Sequence, residues 1–142
     1  MKRRHSLVLL GQLMALYGLC AMPMTQGKVK ALSVADARTL AYDALPVETK
    51  RLPGLALAAG KTESSGRCVT FDVLWTNPGP GSAHIIFYTI DLQTAAIWSG
   101  PRPPATLETG QAVLRRQRVL RKKLGLTARM SESETENSPC WR

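Results

Sequence analysis

Two runs of alternating residues, 67–76 and 82–91, joined by Asn77-Pro-Gly-Pro-Gly81, constrain this chain more than any other feature. In the first run Val69, Phe71, Val73 and Trp75 point one way, and Cys68, Thr70, Asp72 and Leu74 point the other. In the second, Ile86, Tyr88 and Ile90 share one face, while Ile85 and Phe87 take the opposite one. Period-two alternation is what a half-buried antiparallel strand requires, and a linker with a turn former at every position folds one strand back on the other. Asp91-Leu-Gln-Thr94 makes a second, short turn, and 95–99, containing Ile97 and Trp98, completes a three-stranded meander. A weaker strand is read at 55–59, between Gly54 and Gly60; Pro101, Pro103 and Pro104 then end the sheet, since proline cannot continue a ladder.

Upstream of the sheet the period changes. Ser33-Val-Ala-Asp36 sets a cap three residues before an acid, and Val34, Ala37, Leu40, Ala41, Ala44 and Leu45 follow at helical spacing. This predicts a helix over 33–45 closed by Pro46, with an Ala/Leu face small enough to lie close on a sheet. The fold class is therefore α+β: one N-terminal helix packed on an antiparallel three- to four-stranded β-meander, plus a basic C-terminal helix. With 142 residues, 44% of them hydrophobic, the chain forms one small domain with a buried core.

The formal net charge of +9 is unevenly placed. Lys2, Arg3 and Arg4 precede an apolar run from Leu7 to about Met22, the pattern of a secretory signal peptide, and shorter than the roughly 20 apolar residues of a membrane-spanning helix. The reading is a signal over 1–21, cut at the latest near 27, and an exported chain, periplasmic or secreted; the alternative is an uncleaved anchor. Cys20 follows Leu19 rather than a small residue, which argues against a lipid anchor. From 22 to 114 eight basic residues nearly cancel seven acidic ones. The domains expected are 28–104 as the α+β unit, 105–128 as a basic helix, and 129–142 as a flexible tail whose Glu132, Glu134 and Glu136 fold back and partly mask that helix.

Export leaves two cysteines, Cys68 and Cys140, in an oxidising compartment, where a disulfide is the default. The alternative is a buried strand thiol and a free thiol in the tail. Two cysteines so far apart, with His5 and His84 the only histidines, do not make a zinc site, and the sequence implies no cofactor.

Charge and periodicity coincide once, in a helix over 107–124 capped by Thr106. Val113, Leu120 and Leu124 form a narrow stripe, and Arg115, Arg116, Arg118, Arg121, Lys122 and Lys123 occupy most of the rest. Such a helix docks by its seam and offers a positive surface to an anionic membrane or an acidic protein, or else is simply solvated. Nucleic acid fits least, because no aromatic residue interleaves with the cations to stack on bases.

A hydrolytic set would draw on Ser82, His84 and Asp72 or Asp91. No Gly-x-Ser-x-Gly elbow supports it, and Asp91 reads better as a turn former. The Gly/Pro linker is no phosphate loop either, since neither the Lys nor the helix that such a loop needs follows it. Trp75, Trp98 and Tyr88 are the candidate partner contacts, because interfaces favour aromatic anchors, although strand tryptophans are more often core.

Tyr88, Ile90, Asp91, Thr94, Ile97 and Trp98, preceded by Phe71-Asp72-Val73-Leu74-Trp75, resemble the Tyr-x-Val-Asp-x-x-Thr-Gly-x-Val-Trp pattern of PepSY-like and cystatin-like modules in small exported bacterial proteins. The resemblance spans about 33–99, and Ala95 stands where the pattern has glycine. It implies a helix followed by strands, and a protein that binds or inhibits other proteins. The expected function is accordingly a small exported, non-enzymatic protein-binding or inhibitory module, with an envelope or secreted protein as partner. The alternatives are attachment to anionic membrane through the basic helix and a hydrolase using Ser82 and His84.

Overall fold

The structure, a computed structural model, describes residues 29–60, 62, 65–76, 83–101 and 105–141. Residues 1–28, including Cys20 and the segment read as a signal, the linker 77–81, Ser82, Pro103 and Pro104 lie outside the described residues. The described residues form α1 (Val34–Ala44), α2 (Val47–Lys50), β1 (Leu55–Ala59), β2 (Cys68–Trp75), β3 (Ala83–Asp91), β4 (Ile97–Ser99), β5 (Thr106–Leu107), α3 (Gln111–Leu124), α4 (Glu132–Glu136) and a 3-10 turn (Pro139–Trp141). The strands form one antiparallel sheet in chain order, so the fold is α+β with five strands rather than three or four. Proline bars ladder donation only at its own position. Beyond the proline stretch, Thr106 and Leu107 pair with Ser99 and Trp98.

Local chemistry accounts for α1. The Ser33 hydroxyl accepts from the Asp36 amide at 3.1 Å, and the Asp36 carboxylate accepts from the Ser33 amide at 3.2 Å, so two otherwise unpaired donors are satisfied reciprocally. Ala37, Leu40 and Ala41 are fully buried against Val69, Phe71, Val73, Tyr88, Ile90 and Ile97 on the first face of the sheet. Val113, Leu120 and Leu124 of α3 join the same cluster, making α3 part of the core rather than an appendage. It begins at Gln111 with Gly110 as N-cap, not near 107, because the backbone at Thr106 and Leu107 is committed to the sheet. It ends at Gly125, whose φ of 79° is the left-handed conformation glycine adopts without strain.

The second sheet face is covered over part of its area by the C-terminal segment. Cys68 and Cys140 are joined by a disulfide whose Cα atoms are 5.6 Å apart, and with Ala96 and Trp98 they form a second cluster under Leu107, Met130 and Trp141. The tail expected to be flexible is thus ordered over 129–141. Ser131 and Glu134 make a capping box that starts α4, and Ser138 and Cys140 are completely buried. Ser138 donates to Asp91 at 2.8 Å, and Arg67 holds the same carboxylate through Nε and Nη2 at 2.7–3.0 Å. Burial alone would raise the Asp91 carboxyl; the bonds from Arg67, Ser138 and the Gln93 amide outweigh it and hold that carboxyl below the usual range.

Candidate functional site

The uncovered half of the second sheet face carries Ala56 and Ala58 from β1, Thr70, Asp72 and Leu74 from β2, and His84 and Phe87 from β3. His84 and Phe87 are three residues apart, so strict alternation would put them on opposite faces. A register shift between Val73 and Leu74 changes this: Val73 pairs with Ile86 and Leu74 with His84, leaving Ile85 as the extra residue of a β-bulge. The bulge turns His84 onto the face of Phe87. The imidazole lies 4.0 Å from the Phe87 ring, centroid to centroid, and its Nδ1 meets Asp72 Oδ1 at hydrogen-bond distance. Phe87 stays 37% exposed, an aromatic group held open to solvent beside a polar pair, and the bulge residue Ile85 is similarly exposed. This surface continues into the free edge of β1. There Leu57 turns its carbonyl outward, and the Arg38 guanidinium covers it at 2.6 Å.

The sequence-level candidates divide sharply. Asp72 and His84 do meet, but Ser82 lies outside the described residues, and Asp91 is sealed in its ion pair with Arg67. Among the described residues no hydroxyl or thiol bonds the His84 ring, and no group of three His, Cys, Asp or Glu side chains could hold a metal ion. Trp75 is half-buried and donates from Nε1 to the Pro53 carbonyl. Trp98 and Tyr88, read as partner contacts, are core residues at 4% and 2% exposure. Trp98 is covered by the disulfide-linked tail, and Tyr88 lies beneath α1, donating to the Ala44 carbonyl.

Burial, with a smaller contribution from Glu108, pushes the Tyr88 hydroxyl up to about 12. Because the folded value lies above that of the unfolded chain, the contribution is complete below about pH 10 and is lost as pH rises toward 12. Wild type should therefore lose up to about 2–3 kcal/mol more than Tyr88→Phe over that window in urea unfolding.

The basic helix separates into three roles. Arg116 pairs with Asp43 at 2.7 Å and Lys123 with Asp36 at 2.6 Å, tying α3 to α1. Arg121, expected on the positive surface, is 1% exposed and so cannot contact one. Its guanidinium donates to the carbonyls of Thr94, Thr127 and Arg129 and to Glu134 at 2.7–3.1 Å. Glu134 therefore does fold back onto α3, but onto this buried partner. Arg115, Arg118 and Lys122 remain without an acidic partner among the described residues, and with Val119, 62% exposed, they form one helical stripe. Reversing these three charges should shift the unfolding free energy by less than about 0.5 kcal/mol each in chemical denaturation.

Sequence reasoning missed the bulge and the two polar members of the buried seam of α3, Gln117 and Arg121. Their signal was present, since 113, 117, 120, 121 and 124 follow helical spacing. Among the described residues no helix is long and apolar enough to cross a membrane. Compared with known proteins, the chain matches no family model, no curated protein and no solved structure.

Proposed function

We propose that this is a small exported, non-enzymatic module that binds or inhibits an envelope or secreted protein, and that the partner docks on the uncovered half of the second sheet face. One observation carries the reading: Phe87 stands open against His84 and its partner Asp72, while the disulfide-linked tail closes the rest of that face. An aromatic anchor flanked by a polar pair, on a rigid sheet, is the composition of an interface centre. The disulfide is in keeping with an oxidising compartment. Kinship with PepSY-like and cystatin-like modules belongs to the same proposal. Its support is that Ala95, where their pattern has glycine, takes a left-handed φ of 62°. Phe87→Glu should leave stability within about 1 kcal/mol of wild type. It should abolish co-purification of a stoichiometric periplasmic partner, whereas partner capture unaffected by this change sinks the proposed surface.

A second reading rests on the stripe of Arg115, Arg118, Val119 and Lys122, an exposed apolar residue among three cations, which suits an anionic lipid surface. It requires sedimentation with vesicles containing phosphatidylglycerol, lost on reversing the three charges or at high salt. Absence of vesicle binding at low salt excludes it.

A further inference from the structure

One cavity bordering α3 lies away from the open sheet face. It is bounded by Leu107, Glu108 and Thr109 before α3, by Leu114, Gln117 and Arg118 on it, and by Ala128, Arg129, Met130, Ser131, Glu132 and Thr135 of the C-terminal segment. Its volume is about 440 Å³, within the roughly 300–1,000 Å³ that small-molecule sites occupy.

Three features specify what such a cavity would hold. Leu107, Leu114 and Met130 supply apolar wall. Gln117, only 3% exposed, supplies a polar point: its Nε2 donates to the Ala95 carbonyl at 2.9 Å. Because that carbonyl can only accept, the orientation of the carboxamide is fixed. Its Oε1 receives no hydrogen bond from any described residue, and a buried acceptor left unmet is costly. The rim carries Arg118 and Arg129 together with Glu108 and Glu132, and among the described residues none of the four is ion-paired. Arg121 also borders the space, but its guanidinium is engaged by three carbonyls and Glu134, which makes it scaffold.

An occupant must therefore bring an N–H donor, an apolar body and both signs of charge. A hydrocarbon chain would leave Gln117 Oε1 unmet, and a nucleotide phosphate would face two carboxylates. We propose that the cavity binds a zwitterionic short peptide, of two or three residues, with an apolar side chain. Its peptide N–H donates to Gln117 Oε1, and its side chain lies against Leu107, Leu114 and Met130. The α-carboxylate pairs with Arg118 and Arg129, and the ammonium with Glu108 and Glu132. This site is independent of the docking surface, and either can fail without the other.

The test titrates leucyl-leucine into the oxidised chain, labelled with 15N and with 13C at the methionine methyls, and follows the Gln117 side-chain amide and the Met130 methyl by NMR. Saturable shifts of both, with affinity weakened about fivefold or more by Arg118→Glu and by acetylating and amidating the dipeptide, bear out the proposal. Arg118 is exposed, so its replacement leaves folding intact, and thermal unfolding of the variant checks this. Shifts absent up to about 10 mM dipeptide overturn it, as do shifts confined to residues outside the cavity. An affinity unchanged by Arg118→Glu overturns it too.

Discussion

Arg121→Met should lower the unfolding free energy by about 3–5 kcal/mol, although a methionine fills most of the same space. The cost does not come from a lost surface charge. The guanidinium is buried and satisfies the carbonyls of Thr94, Thr127 and Arg129, which an apolar side chain would leave without donors. It also partners Glu134, whose carboxyl burial would raise, but which the bonds from Ser131 and Arg121 hold below its usual range. Arg121→Lys should recover little of this loss, because an ammonium cannot reproduce the planar fork that reaches β4's approach, the 127–129 loop and α4 together. Urea unfolding of the two variants beside Arg118→Met measures the contrast, with Arg118→Met expected within about 0.5 kcal/mol of wild type. A loss below about 1 kcal/mol for Arg121→Met would place this guanidinium in solvent.

Opening the disulfide should cost a similar amount by a different route. Cys68 and Cys140 are 72 residues apart, and releasing that loop in the unfolded chain costs about 4 kcal/mol on the chain-entropy account. The structural consequence is local. Without the tether, Ser138 no longer holds the buried Asp91, and the cover over Trp98 and Ala96 is free to leave. Hydrogen exchange of the reduced protein should therefore show protection lost first over 129–141, with β2 and β3 still protected. Uniform loss across the sheet would mean that the tail and the sheet unfold as one unit.

The parts of the fold that could be read from the sequence are those where one local rule decides. Ser33 and Asp36 cap α1 by their own chemistry, and β1 follows its bounding glycines at Gly54 and Gly60. The alternation through Val69, Phe71 and Val73 marks the face of β2 that is buried. What could not be read depends on partners distant in sequence. Nothing at residue 85 announces a bulge, because a bulge belongs to the pairing of two strands, and it decides which face His84 joins. Arg121 looks like its neighbours until Thr94 and Glu134 are brought to it from 27 and 13 residues away. Trp98 could be given to core or to contact until the tail was placed over it. The short strand at Thr106 and Leu107 carries no periodicity at all, since two residues cannot show one.

Deleting 105–142 would remove part of the core together with the basic helix. Val113, Leu120 and Leu124 are core, and the deletion would expose the face of α1 that they cover.

Docking of a partner on the uncovered half of the second sheet face, as proposed, is tested most directly by site-specific photo-cross-linking in the cell. With a photoreactive amino acid in place of Phe87, one discrete protein adduct is expected, and none with the same group in place of Val119. A discrete adduct from the Val119 position alone, or the same adducts from both positions, would contradict it.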